Sequence, residues 1–123
     1  MIVAGDGAER DAMTAVLNEA GVQNRVLMLG AIPNTAMPDV YRAADISVLP
    51  SLAEATSIAG LEAMATSVPL VGTNVGGIPT ILADGITGLL VQPRELLDNM
   101  RANIETVLGA PDAPICCLSV RMP

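Results

Sequence analysis

The chain has 123 residues, a formal net charge of −7, no His and no Lys, so that its 6 positive charges are all Arg. The missing residue types exclude Ser-His-Asp and Cys-His catalysis, His-containing metal sites, Schiff-base chemistry and a phosphate loop that ends in Lys. The length allows one ordinary domain, and the acidic balance opposes binding to nucleic acid.

Short apolar strands alternate with helices along most of the chain. In chain order the pattern predicts a strand at residues 1–4, a helix at 8–20, a strand at 25–29, a helix at 38–44, a strand at 46–49, a helix at 57–66, strands at 70–72 and 88–91, and an amphipathic helix at 94–108. This alternation is typical of an α/β, Rossmann-like domain, in which a parallel sheet carries helices on both faces. We expect the domain to span residues 1–109, followed by an irregular tail at 110–123.

The apolar segments do not resemble membrane or secretion signals. An uncharged stretch at residues 63–83 is broken into short pieces by Pro and Gly, and the start of the chain lacks the basic and apolar regions of a signal peptide. We therefore expect no membrane span and a cytoplasmic location. Cys116 and Cys117 are adjacent and cannot join distant segments by a disulfide, so reduced thiols are expected.

Two carboxylates are isolated in the middle of the chain. Between Asp45 and Asp84 the only charged residues are Glu54 and Glu62. Open parallel sheets bind ligands beyond the carboxyl ends of their strands, and Glu54 lies in the loop that follows the third predicted strand. Glu62 lies one turn into the next helix. These two glutamates are therefore the first candidates for a functional site.

Glu62 falls on a helical stripe with Ile58, Leu61 and Ala65, at positions i, i+3, i+4 and i+7. This spacing predicts a buried face. A carboxylate among apolar neighbours needs hydrogen-bond donors, so we expect hydroxyls or backbone amides beside Glu62. The alternative is that Glu62 simply favours the positive end of the helix dipole, an effect of about 0.3 to 1 kcal/mol.

Small or neutral residues open the same helix, from Ser57 to Gly60. The amides at such a helix start can bind an anion without Lys, and the alternative is that Ser57 acts only as an N-cap. Gly76 and Gly77 are predicted to let the backbone approach a ligand closely. The turn at residues 5–7 lacks the third glycine of a dinucleotide fingerprint, which argues against NAD binding.

Several motifs occur together in a fixed order. They are Tyr41–Asp45, Leu49–Ser51, Glu54 followed eight positions later by Glu62, Glu62–Ala65, Val75–Pro79 and Asp84–Val91. In order and spacing, this set resembles the C-terminal, nucleotide-sugar-binding domain of glycosyltransferase family 4, which has the GT-B fold. The resemblance covers about residues 2–93. Each motif alone is weak, but the set is specific.

The resemblance implies retaining transfer of a hexosyl group from a nucleotide diphosphate sugar, a UDP- or GDP-sugar, without a metal or other cofactor. By the same resemblance, Glu54 is the catalytic carboxylate beside the transferred sugar and Glu62 binds the ribose. The remaining donor-binding positions that it implies are Ser57, Ile58 and Ala59 for the sugar and diphosphate, and Leu29 and Gly30 beside the base.

The chain departs from the family pattern at several positions. Ala55 and Thr56 stand where glycines are usual, Ser67 stands where a glycine commonly precedes Val-Pro, and Thr80 stands where a glutamate is common. Side chains after Glu54 are expected to narrow the sugar pocket.

The family's upstream Arg and Lys pair and its acceptor-binding N-terminal domain are not in this sequence. We therefore expect this chain to supply the donor-binding half of an enzyme and to be inactive alone. The alternative is a non-catalytic module that binds a nucleotide sugar or a partner. An epimerase of nucleotide sugars is disfavoured, because this stretch does not offer the acid and base groups that such chemistry needs.

Overall fold

The computed structural model describes residues 1–93 and 102–106. The chain divides into two compact units, of which the first is Met1–Met37 and the second begins at Pro38. Strands and helices alternate in both units, which confirms the α/β class. Within the described part, no helix has the length and apolar character needed to cross a membrane. The predicted tail at 110–123 lies outside the described residues, as does most of the predicted helix at 94–108.

The first unit is a small parallel pair of strands joined through a helix. Its elements are β1 (Ile2–Ala4), α1 (Arg10–Glu19), a 3-10 helix (Gln23–Arg25) and β2 (Leu27–Gly30). β1 pairs in parallel with β2, with Ile2 opposite Leu27. α1 ends one residue before its predicted end, and Gly21, with a φ of 67°, supplies the left-handed residue that closes many helices.

The second unit holds a three-stranded parallel sheet in the order β3-β4-β5. Its elements are α2 (Met37–Arg42), β3 (Ser47–Leu49), α3 (Ile58–Ala65), β4 (Leu70–Thr73), α4 (Ile78–Ile81) and β5 (Gly88–Val91). The central strand β4 is buried at all four positions. The strands are parallel as predicted, but among the described residues they form two sheets where the sequence predicts one.

Both faces of the second sheet are covered. Successive side chains of a strand point to opposite faces, and the neighbours Leu70 and Val71 of β4 belong to different apolar clusters. One cluster joins Leu70 to Met64 of α3 and to Ile78 and Leu82. The other contains Val71 and Val91 and packs against Ile104, in a helical stretch at residues 102–106. Helices therefore lie on both faces, as the sequence predicts.

α3 ends in an unusual residue. Among the described residues, Ser67 is the only one other than glycine that has a positive φ, which is 63°. Its amide donates to the carbonyl of Met64 at 3.0 Å, and the amide of Val68 donates to Ala63 at 3.1 Å. These two bonds form a Schellman motif, which usually has glycine at the left-handed position. Ser67 therefore carries backbone strain at the end of α3.

Candidate functional site

Glu54 lies in the loop between β3 and α3, where its half-buried side chain has one described donor. The Ser51 hydroxyl donates to Oε2 of Glu54 at 3.4 Å. Ser51 is itself bound to the sheet, because the hydroxyl of the fully buried Thr73, in β4, donates to the Ser51 carbonyl. Thr73 at the end of β4 therefore holds the backbone of Ser51, and the Ser51 hydroxyl in turn contacts the Glu54 carboxylate.

The glycine pair after β4 packs directly on the Glu54 loop. The amide of Gly77 donates to the carbonyl of Glu54 at 3.0 Å. A Cβ atom at Gly76 would lie 1.6 Å from that carbonyl oxygen, and one at Gly77 would lie 2.0 Å from the carbonyl oxygen of Ala55. The sequence predicts that these glycines let the backbone approach a ligand. The close approach in the structure is to another protein segment, so the pair supports the loop that carries Glu54.

Glu62, in α3, is paired with a phenol. The hydroxyl of Tyr41, in α2, donates to Oε2 of Glu62 at 3.3 Å. Tyr41 is only 9% exposed, and burial, the Glu62 charge and this hydrogen bond together raise its pKa from 10.0 to about 12. Tyr41 therefore keeps its proton at neutral pH and remains a donor. The expectation of hydroxyl or backbone-amide donors beside Glu62 is confirmed, and the donor is a hydroxyl.

The predicted buried stripe of α3 is wrong. Ile58 is 69% exposed and Leu61 is 43% exposed, and Ala65 is exposed as well. The buried residues of α3 lie on another face: Gly60, Ala63 and Met64. Every residue of α3 except Glu62 is apolar or Gly, so periodicity cannot identify the inner face. Close packing at Gly60 requires glycine there, because a Cβ atom would lie only 3.1 Å from the side chains of Leu70 and Ile81.

α3 begins with an N-cap residue, followed by backbone amides that lie ahead of the first hydrogen bond of the helix. Ser57 is buried, and its hydroxyl oxygen accepts a hydrogen bond from the amide of Gly60 at 3.0 Å. Ser57 is therefore an N-cap, as the sequence suggests. The first helical amide bond runs from Leu61 to the Ser57 carbonyl, so the amides of Ile58 and Ala59 lie ahead of it. The first turn of α3 has no acidic residue to compete for an anion.

Five of the predicted residues lie in the second unit, in the loop after β3 and in the first turns of α3: Glu54, Ser57, Ile58, Ala59 and Glu62. The predicted Leu29 and Gly30 end β2 in the first unit, where the carbonyl of Gly30 accepts from the amide of Gly5 at 2.8 Å. Sequence reasoning did not assign the partners Tyr41, Ser51 and Thr73. The available signal was that Tyr41 is the one aromatic residue of the chain.

The described side chains of the site offer hydrogen-bonding groups. Within residues 1–93 and 102–106, no three acidic or thiol side chains come close enough to hold a metal ion. The site combines two carboxylates, neutral hydroxyl donors and helix-start amides. These groups can bind the hydroxyls of a sugar or ribose and the negative charge of a phosphate.

Parallel α/β units with carboxylates and helix-start amides beyond the strand ends define a class of nucleotide-binding folds. A family model described as Glycosyl transferases group 1 matches residues 1–109. The chain belongs to this glycosyltransferase family.

Curated relatives agree with this membership. The chain is 39% identical over 95 residues to a D-inositol 3-phosphate glycosyltransferase of Nocardia farcinica, a match that covers 76% of this chain and 21% of that protein. It is 32% identical over 109 residues to an uncharacterized glycosyltransferase of Methanocaldococcus jannaschii, covering 89% of this chain and 28% of that protein. The chain therefore spans between a fifth and three-tenths of the length of these two relatives.

Solved structures match the fold closely. Sucrose-phosphate synthase of Thermosynechococcus elongatus superposes with a TM-score of 0.84 at 28% identity, over 94% of this chain and 30% of that one. HepE of Anabaena, solved in complex with UDP-glucose, superposes with a TM-score of 0.83 at 25% identity, over 96% of this chain and 33% of that one.

Proposed function

We propose that this chain is the donor-binding part of a retaining glycosyltransferase, which transfers a hexosyl group from a nucleotide diphosphate sugar. The observation that carries the proposal is the arrangement of Glu54 and Glu62 around the start of α3. Glu54 precedes the N-cap Ser57, Glu62 follows within the helix, and each carboxylate accepts from one neutral hydroxyl. Anion-binding amides between two hydrogen-bond acceptors match a ligand with phosphates between a sugar and a ribose.

In this proposal the diphosphate binds at the amides of Ile58 and Ala59. The positive end of the α3 dipole stabilises the charge that develops on the leaving diphosphate, without a metal ion or another cofactor. Glu54 accepts hydrogen bonds from the transferred sugar and stabilises the positive charge on its ring in the transition state. Glu62 accepts from the ribose hydroxyls. Retention follows from the family resemblance.

UDP-sugars are the first donors to test, because HepE, a structural neighbour, is solved with UDP-glucose. The acceptor site is proposed to lie in a further domain. The relatives support this part of the proposal, since the chain matches only 21% to 28% of their lengths.

Calorimetric titration with UDP-glucose and GDP-mannose tests the donor site. One of these donors should bind the chain, and Glu62→Ala should weaken binding about tenfold or more, because a hydrogen bond to a charged group contributes about 1.5 to 3 kcal/mol. Glu19→Ala is a matched control that removes an exposed carboxylate from α1. The donor-site assignment is wrong if neither donor binds, or if both substitutions have the same effect.

A second titration separates the two glutamates. Glu54→Gln should weaken the nucleotide sugar about threefold to tenfold and leave the plain nucleoside diphosphate unchanged, since only the sugar is proposed to contact Glu54. Glu62→Ala should weaken both ligands by the same factor. Equal loss of both ligands in Glu54→Gln contradicts the role proposed for Glu54.

A further inference from the structure

Tyr41 is the one described hydrogen-bond donor to the Glu62 carboxylate. Its hydroxyl lies 3.3 Å from Oε2 of Glu62, while its ring is buried at the end of α2. The contact joins residues that are 21 positions apart and lie on two different helices. It is therefore a tertiary contact and does not follow from the local course of α3.

A phenol suits a carboxylate that must still bind a ligand. Tyr offers one O–H hydrogen, which occupies one of the several lone-pair positions of a carboxylate. An Arg in its place would donate up to five N–H groups, could engage both oxygens and would neutralise the charge. The raised pKa of Tyr41, about 12, keeps the phenol protonated at neutral pH. The Tyr41 hydroxyl contacts Oε2 and thus leaves Oε1 of Glu62 as an acceptor.

The contact also reduces the freedom of a flexible side chain. Glu has several rotatable bonds, and fixing them on binding costs conformational entropy. A side chain that is already held in the binding geometry avoids that cost. The buried ring of Tyr41 provides a fixed support, because packing restricts its own torsions.

We propose that Tyr41 is a positioning residue for nucleotide recognition: its hydroxyl holds Oε2 of Glu62, so that Oε1 is available to accept from the ribose hydroxyls. The inference rests on the proposed function of Glu62 and extends it to a residue on another helix. Tyr41 itself does not touch the ligand in this proposal.

Calorimetry with two probes, UDP and its 2′,3′-dideoxy analogue, tests the inference on the whole chain. The GDP pair replaces them if the chain binds GDP more tightly. Tyr41→Phe removes one oxygen atom and keeps the ring. It should weaken UDP about threefold to tenfold, the loss expected for a rather long hydrogen bond to a charged group. The dideoxy analogue lacks the ribose hydroxyls, so its affinity should be unchanged in Tyr41→Phe.

A cycle with Glu62→Ala completes the test. Tyr41→Phe should cause no further loss of UDP affinity in a chain that already carries Glu62→Ala, because the side chain that it positions is gone. A structural role alone would weaken UDP and the dideoxy analogue by the same factor, and that result overturns the inference. Unchanged UDP affinity in Tyr41→Phe also overturns it, while the proposed function stands. If the parent chain binds neither UDP nor GDP, the proposed function fails and the inference fails with it.

Discussion

The loop that carries Glu54 and the helical turn that carries Glu62 are held by different means. The loop is fixed by backbone contacts, since Gly76 and Gly77 pack closely against the carbonyl groups of Glu54 and Ala55. The turn is fixed through side chains, with the Tyr41 hydroxyl on the carboxylate of Glu62. Backbone contact leaves no space for any added atom, whereas a side-chain contact can be changed one atom at a time. We therefore expect abrupt effects in the first region and graded effects in the second.

The largest effect is expected from Gly76→Ala. The added Cβ would lie 1.6 Å from the Glu54 carbonyl oxygen, so the loop has to move, and we expect a loss of about 3 kcal/mol or more in the free energy of unfolding. Gly85→Ala is the matched control, because Gly85 also has a positive φ but nothing within 4 Å of its Cβ position. It should lose only about 1 to 2 kcal/mol. Urea denaturation of both variants measures the difference, and equal losses would show that the loop contact has no role.

The next effect is a loss of stability at high pH. Folding raises the pKa of Tyr41 from 10.0 to about 12, mainly by burial and then by the Glu62 charge. Between these two pH values the folded state therefore keeps the Tyr41 phenol proton, which the unfolded state has already released. This contribution is fully present below pH 10 and is lost as the pH rises from 10 to 12. A difference of two pKa units corresponds to about 2 to 3 kcal/mol in the free energy of unfolding.

Urea denaturation followed by far-ultraviolet circular dichroism at a series of pH values checks this loss. Tyr41→Phe is the reference, since its stability should lack this component. Glu62→Gln should make the loss smaller, because it removes the charge that opposes the phenolate. A parent chain and a Tyr41→Phe variant that lose stability in parallel above pH 10 would contradict the assignment.

Ser57, which separates the two regions, should have a smaller effect. Ser57→Ala removes the oxygen that accepts from the amide of Gly60, and loss of an N-cap costs about 1 kcal/mol. Ser57→Gly should cost only a few tenths, because glycine is tolerated at an N-cap. Thermal unfolding of the two variants distinguishes them. If Ser57→Gly is as harmful as Ser57→Ala, the packing of the buried side chain outweighs the cap.

The smallest effect is a gain of stability. Ser67→Gly removes the strain of a left-handed Ser at the end of α3, and we expect a gain of about 0.5 to 1 kcal/mol. Ser67→Ala should give no gain, because Ala keeps the Cβ atom. Their unfolding midpoints measure the difference, and a gain in Ser67→Ala would mean that the Ser hydroxyl and not the backbone is unfavourable.

Much of the fold follows from the sequence, because apolar runs and turn residues are local signals. β5 was predicted at its observed bounds, 88–91, and α3 extends to within one residue of each end of its prediction. The structure adds α4 (Ile78–Ile81), where Gly and Pro indicate a loop. Pro79 is tolerated there because it lies in the first turn, where a missing amide hydrogen is not needed.

The site was predictable only in part. Isolation in an uncharged stretch indicated Glu54 and Glu62, and the need of a carboxylate for donors predicted hydroxyls or backbone amides near Glu62. The identity of that donor, Tyr41, depends on how α2 and α3 pack, which periodicity does not encode. The same limit explains the error over Ile58 and Leu61, since a helix that is apolar all round gives no direction to its inner face.

Tyr41 also makes the chain its own spectroscopic probe. With no Trp, no Phe and one Tyr, all intrinsic fluorescence and near-ultraviolet dichroism originate from a ring that touches Glu62. Emission therefore reports the separation of α2 from α3, while far-ultraviolet dichroism reports the whole backbone. If the emission changes at a lower denaturant concentration than the far-ultraviolet dichroism, the site opens before the protein unfolds, and the gap between the transitions measures how independently it does so.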